Sequence, residues 1–237
     1  MSVIFFDLDG TLIDSTKAFP RVFAQVARDF GVDADPERIR RAMNSAWPWY
    51  EANLSRYHEK GVMDFWLGFN RQVCLELGAG KDSQAMAKKI TETFRKLNLR
   101  KLFPDSINCL ETLQQRGFRL GIITARPDAR EVIEPFGLGR YFSYIVDACS
   151  AGSAKLDAKI YHYARRLAKL KAGEAIHVGD EIERDVLPAQ EAGLLPILVD
   201  RENHHARSDH LRITELSELP DFVCRLIGSP SPTRPTP

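Results

Sequence analysis

Residues 3–11 read VIFFDLDGT, an unbroken apolar run of Val3–Phe6 that stops at Asp7, Asp9 and Gly10. A strand buried on both faces reads as a continuous apolar run, and acids with a glycine mark its polar C-terminal end. A first strand is therefore predicted over Val3–Phe6, ending about Asp7. Runs of the same kind recur at residues 120–123 before TARPD, at 144–148, at 175–178 before GDE, and at 197–199 before Asp200. Between them lie segments of helical period: Ile107, Leu110 and Leu113 closed by Gly117; Val132, Ile133 and Phe136 closed by Gly137; Ile160, Tyr163, Ala164 and Leu167; Val186, Ala189 and Gln190 closed by Gly193. Strand alternating with helix predicts an α/β fold with a parallel sheet. Ligands of such sheets bind beyond the carboxyl ends of the strands, where the polar residues of this sequence gather.

Residues 15–103 break the alternation with helical patterns alone. Phe19, Val22, Phe23, Val26 and Phe30 are closed by Gly31; residues 36–43 follow a candidate cap at Asp35; Phe65, Phe69, Val73 and Leu77 are closed by Gly78; Met86, Ile90, Phe94 and Leu97 complete the set. The chain is thus expected to form a discontinuous α/β core from residues 1–14 and 104–228, with an all-helical cap from 15–103 inserted after the first strand. A cap in that place would hang over the carboxyl edge of the sheet as a lid. Residues 229–237, rich in Pro, Ser and Thr, are expected to be extended or disordered.

The whole chain of 237 residues can bury a real core, and 44% hydrophobic with 27% charged residues excludes wholesale disorder. Lys and Arg number 33 against 32 Asp and Glu, and no block of like charge could track a phosphate backbone, so nucleic acid is not the expected partner. No apolar stretch has the length of a signal peptide or a membrane span, and the expected compartment is cytoplasmic. Cys74, Cys109, Cys149 and Cys224 form no CxxC pair and read as core filler or inert thiols.

The chemistry gathers at strand ends. Asp7 and Asp9 stand two positions apart, close enough that one carboxyl should titrate high, as a nucleophile paired with a general acid requires; a capped turn is the plainer alternative. Asp180, Glu181 and Asp185 form a second acidic cluster, which with Asp7 would make an oxygen-rich pocket suited to Mg²⁺, or else supply first-turn acids to a helix. Thr124 and Ala125 end a strand where a hydroxyl and free N–H groups at a helix start would bind an anion, with Arg126 adding charge; Arg130 reads as solvated. Lys155 follows a small-residue loop and could neutralise a phosphoryl oxygen or the nucleophile.

In this order, DLDGT at 7–11, Thr124, Lys155 and GDEIERD at 179–185 resemble the four motifs of the haloacid dehalogenase superfamily, in particular its phosphatase-like branch with a helical cap of the C1 type after the first motif. The resemblance implies a doubly wound, Rossmann-like core, a mobile cap, Mg²⁺, and reaction through a phospho-aspartyl enzyme. It implies that Asp7 attacks phosphorus and that Asp9 protonates the leaving group, then activates water. Asp7, the Asp9 carbonyl and Asp180 would hold Mg²⁺, with Asp185 or Glu181 in support; Thr124 and the Ala125 N–H would bind the phosphoryl group and Lys155 would offset charge. The chain departs from the pattern at Ala125, where Asn is usual, and at Leu156 and Ala158, where prolines are common; Arg126 is the candidate to replace the missing contact.

The expected activity is hydrolysis of a small phosphomonoester. Asp9 disfavours dehalogenation, because a leaving halide needs no proton. A phosphomutase, a phosphonate hydrolase and a non-catalytic phosphate-binding module are the alternatives, and monomer and homodimer both stay open. Trp47, Trp49 and Tyr50, beside Asn44, Arg56 and His58, either line a substrate pocket or pack helices; Trp66 is assigned to packing. His177 reads as a satisfied core histidine, and His204, His205 and His210 as a surface loop.

Overall fold

The computed structural model describes residues 2–15, 18–97 and 99–228. The tail 229–237 and the side chains of Arg56 and His58 lie outside the described residues. The strands are β1 (Val3–Phe6), β2 (Ile13–Asp14), β3 (Lys101–Leu102), β4 (Arg119–Ile123), β5 (Phe142–Val146), β6 (Ala175–Gly179), β7 (Leu195–Val199) and β8 (Arg212–Ile213). Six of them form one sheet in the order β5-β4-β1-β6-β7-β8, with every pair parallel. β2 and β3 form a separate two-stranded sheet. The chain divides into two compact units, the N-terminal residues through Ile13 with the chain from Leu102 onward, and Asp14–Lys101.

The helical unit holds α1 (Ala18–Asp29), α2 (Pro36–Ala52), α3 (Ser55–Lys60), α4 (Val62–Glu76) and α5 (Ser83–Leu97). Asp35 caps α2 as expected, its carboxylate accepting the Arg38 N–H at 2.7 Å. α2 does not stop near residue 43; it runs through Pro48 to Ala52, because Ala46 and Tyr50 are buried on its inner face. Tyr50 stacks on Trp47 at 4.6 Å and meets Phe65 and Phe69 edge-on, while Trp66 packs against Phe65 and Phe69. The aromatic cluster is therefore helix packing rather than a pocket wall around Tyr50. The expectation of a purely helical 15–103 segment is corrected at its end, where Lys101–Leu102 form β3.

In the α/β unit the helices are α6 (Ser106–Gln115), α7 (Ala129–Ile133), α8 (Ala148–Ala151), α9 (Lys159–Leu167), α10 (Leu187–Glu191) and α11 (Leu219–Ile227). Successive side chains of a strand alternate faces, so β1 feeds two cores. Ile4 and Phe6 pack with Leu110, Leu113, Val132, Leu219 and Val223 of α6, α7 and α11. Val3 and Phe5 pack with Ile160, Tyr161, Ala164 and Ala189 of α9 and α10. Helices thus cover both faces and the sheet is doubly wound. Fully burying each of Phe5 and Phe6 contributes about 1.5–3 kcal/mol.

Several boundaries differ from the sequence reading. The run at 144–148 forms a strand only to Val146; Ala148 begins α8, because Asp147 accepts the Ser150 N–H as a helix cap. α9 begins at Lys159 rather than near Asp157, whose carboxylate accepts the Lys159 N–H. β8 and α11 had no counterpart in the sequence reading, since β8 spans two residues and α11 nine. Among the described residues no helix is long and apolar enough to cross a membrane.

Candidate active site

Asp7 follows β1 directly, and its N–H donates to the Val178 carbonyl of β6 at 2.9 Å, so the ladder fixes its backbone. The chain then turns tightly, with the Leu12 and Ile13 N–H groups donating to the Leu8 carbonyl. Gly10 sits at φ +90°, and a Cβ there would meet the Asp180 carboxylate at 2.1 Å. Glycine is required here both by backbone conformation and by the approach of Asp180. Thr11 donates its hydroxyl to Asp180 at 3.0 Å, a role the sequence reading did not assign although Thr11 closes the DGT triplet.

Asp185 lies in a widened π-helical turn, Ile182–Val186, which begins with the Asp185 and Val186 N–H groups both donating to the Glu181 carbonyl. Its carboxylate lies over Gly179, where a Cβ would collide at 2.2 Å. Lys155, 2% exposed, reaches Asp7 and Asp185 at 2.5 Å each. Asp185 also contacts His177 Nε2 at 3.0 Å and accepts the Glu181 N–H at 3.1 Å. One ammonium cannot neutralise two buried carboxylates. Burial pushes both upward, but Lys155 and His177 hold Asp185 below the usual carboxylate range. Burial, with repulsion from Asp185, leaves Asp7 raised to about 8 in spite of Lys155. The high titration expected of one acid in the DLDGT pair is present, but its main causes are burial and Asp185, with Asp9 a lesser one.

Asp7, Asp180 and Asp185 each offer an oxygen within 4.8 Å of the others. Burial, and then Asp7 and Asp185, raise Asp180 well above the usual range, so without a cation the cluster keeps protons that a bound cation would displace, Lys155 being too little positive charge for three carboxylates. Hard carboxylate oxygens in excess of local positive charge fit a divalent cation of the Mg²⁺ type. Glu181 turns its exposed carboxylate to Arg184 at 3.2 Å instead.

The residues expected to bind phosphate are placed differently from the expectation. Thr124 is buried at the end of β4, and its hydroxyl accepts the Arg126 N–H at 3.3 Å. α7 starts only at Ala129, so Thr124 and Ala125 lie on a loop and not at a helix N-terminus. Arg126 does not stand open to an anion: it forks onto Asp128 at 2.8 and 3.0 Å and reaches the Asp9 carboxylate at 3.1 Å. Asp128, passed over in the sequence reading, is thus the residue that aims Arg126 at Asp9; its signal was the i, i+2 spacing in TARPD. Arg130 is exposed, as read.

His177 and the raised carboxyls make opposite contributions to stability across pH. His177, pushed down to about 4 by burial, costs stability below its unfolded pKa and ceases to do so as pH rises through about 6.5. Asp7, raised to about 8, retains its proton in the folded state longer than in the unfolded one, so stability falls as pH rises toward 8. Between pH 6.5 and 8 the second effect stands alone with the like-signed Asp180. Chelator-treated protein is expected to lose stability over that window, with a slope approaching about 1.4 kcal/mol per pH unit for one proton. Urea titrations at pH 6.5, 7.2 and 8 check this, and a flat or rising profile would contradict the raised carboxyls.

A family model described as haloacid dehalogenase-like hydrolase matches residues 1–193. A glyceraldehyde 3-phosphate phosphatase from Methanothermobacter thermautotrophicus is 27% identical over 94% of this chain and 100% of its own. A phosphoserine phosphatase from Thermus thermophilus is 28% identical over 92% and 98%. Among solved structures, a HAD phosphatase from Thermococcus onnurineus superposes with TM-score 0.65 at 22% identity, covering 97% of this chain and 99% of its own, which shows the shared fold.

Proposed function

The chain belongs to the haloacid dehalogenase-like hydrolases, and from that membership we propose that it is a Mg²⁺-dependent phosphatase of a small phosphomonoester, working through a phospho-aspartyl enzyme. The observation that carries the reading is Asp7 held on Lys155 at 2.5 Å, with a second acid, Asp9, two residues on. The named activities of the phosphatase relatives support it.

In this reading an Asp7 oxygen attacks phosphorus and the bond to the leaving oxygen breaks, that oxygen taking its proton from Asp9. Asp9, now anionic, removes a proton from water; the hydroxide attacks the acyl phosphate, and phosphate leaves with Asp7 regenerated. Lys155 stays charged throughout and offsets the charge on Asp7. Arg126 orients the Asp9 carboxyl, and Thr124 with the Ala125 N–H binds phosphoryl oxygens. Asp7, Asp180, the Asp9 carbonyl and Asp185 would hold Mg²⁺, which when bound supplies charge stabilisation to the phosphoryl group. The inserted helical unit is the element we assign to substrate choice.

The reading is tested by phosphate release from an aryl phosphate and a panel of small phosphomonoesters, with Mg²⁺ or with chelator. Metal-dependent release supports it. Phosphate binding without release would instead identify a non-catalytic module, and isomerised sugar phosphate a mutase. Asp9→Asn separates the two half-reactions: an aryl leaving group needs little protonation, so one equivalent of phenol should appear in a burst before turnover slows. On an alkyl phosphate the same variant should lose about 10²–10⁴-fold with no burst. Equal, slight losses on both substrates would remove Asp9 from the acid–base role.

A further inference from the structure

His177 lies in the middle of β6, between β1 and β7, with no exposed surface. On its side of the sheet it meets Tyr161 edge-on at 4.9 Å, amid the apolar cluster of Val3, Phe5 and Ile160. Its Nε2 faces Asp185 Oδ1 at 3.0 Å, while Nδ1 is buried without a partner among the described residues. The histidine is therefore half satisfied, which corrects the sequence expectation. A leucine there would bury with no such penalty, since an unpaired buried polar atom costs free energy that an apolar group does not.

The Nε2 contact gives that penalty a counterpart. With Nε2 protonated, the imidazole donates to Oδ1, the oxygen that Lys155 also contacts. Tyr161 completes the wall: its hydroxyl donates to the Arg184 carbonyl at 2.5 Å, tying down the residue before Asp185, and lies 3.4 Å from Oδ1. Oδ1 is thus turned toward the sheet interior, Oδ2 toward the Glu181 N–H at 3.1 Å, and the rotation of the carboxylate is fixed from beneath.

We propose that His177 and Tyr161 are positioning residues that set the orientation of the Asp185 carboxylate, and through it the Lys155 ammonium and the affinity of the acidic cluster for Mg²⁺. The inference rests on the reading of Asp185 as part of a metal site. Neither residue touches substrate; each acts through Asp185, as groups behind a metal ligand commonly do.

The test is calorimetric titration of Mg²⁺ into wild type, His177→Leu, His177→Gln and Tyr161→Phe, with thermal unfolding of each metal-free protein. Gln carries its amide nitrogen at the place of Nε2 and restores the donor alone. His177→Leu is expected to weaken Mg²⁺ binding about tenfold or more with no loss of metal-free thermal stability. His177→Gln should recover to within about threefold of wild type, and Tyr161→Phe should fall between. In turnover, kcat should drop in His177→Leu with KM unchanged. Affinity in His177→Leu equal to wild type, or an equal deficit in His177→Gln, would overturn the positioning role. If His177→Leu does not fold, Tyr161→Phe decides alone: unaltered Mg²⁺ affinity overturns the proposal and weakened affinity at unchanged stability sustains it. No Mg²⁺ binding by wild type would instead overturn the metal reading beneath it.

Discussion

Asp7→Asn is expected to abolish phosphate release, by about 10⁴-fold or more, while leaving the fold intact. The amide has nearly the shape of the carboxylate, so the β1 end, held by the Asp7 N–H to Val178, needs no rearrangement. An amide oxygen is a poor nucleophile and carries no negative charge for Lys155 to offset. Removing a carboxyl from a site where burial and Asp185 already drive it upward relieves repulsion, so the metal-free variant should be no less stable than wild type. Circular dichroism and thermal unfolding beside the release assay check both halves. A variant retaining more than about a tenth of wild-type turnover would exclude Asp7 as the attacking group.

Lys155→Met should damage both turnover and stability. Methionine matches the length of the aliphatic stem, so the loss isolates the ammonium. Without it Asp7 and Asp185 face each other uncompensated in a buried site, and breaking a buried ion pair from one side costs about 3–5 kcal/mol. The cost should grow with pH. Wild type already keeps the Asp7 proton to about pH 8; without Lys155, burial drives the Asp185 carboxyl upward as well, so the folded variant retains a second proton that the unfolded chain has released, and its stability falls more steeply than that of wild type. Turnover should fall about a hundredfold or more, because charge on Asp7 and the phosphoryl group loses its fixed counter-charge. Urea titrations of both proteins at pH 5 and pH 8 measure the effect. A variant as stable as wild type at pH 8 would show that the two carboxylates do not share Lys155.

The fold was legible where periodicity is strong. β1, β4, β6 and β7 sit on continuous apolar runs, and α1, α4 and α5 on long amphipathic patterns, those of α1 and α4 closed by glycines. Short elements were not legible: β8 and α3 are too brief to show a period, and α2 was legible only over 36–43, whereas burial of Ala46 and Tyr50 carries the helix through Pro48 to Ala52. At the site, Asp7, Lys155, Asp180 and Asp185 were each named from strand-end position and motif order, and the structure brings the four side chains of this list into one cluster.

The sequence by itself determined which residues could do chemistry, because apolar runs end where acids, a threonine and a lysine begin, and a parallel sheet sends those ends to one edge. Only the tertiary structure decided how their charges are shared. Arg126 falls to Asp9 and Asp128 rather than to an open anion site, and His177, read as a satisfied core histidine, is half satisfied and partners Asp185. The pairings of Arg126 with Asp9 and of Lys155 with Asp7 join positions far apart in the chain, and no local pattern encodes them. The reason is physical: a side chain's charge and hydrogen-bond partners are set by what burial places within about 3 Å of it, and that follows from the packing of strands and loops distant in the chain.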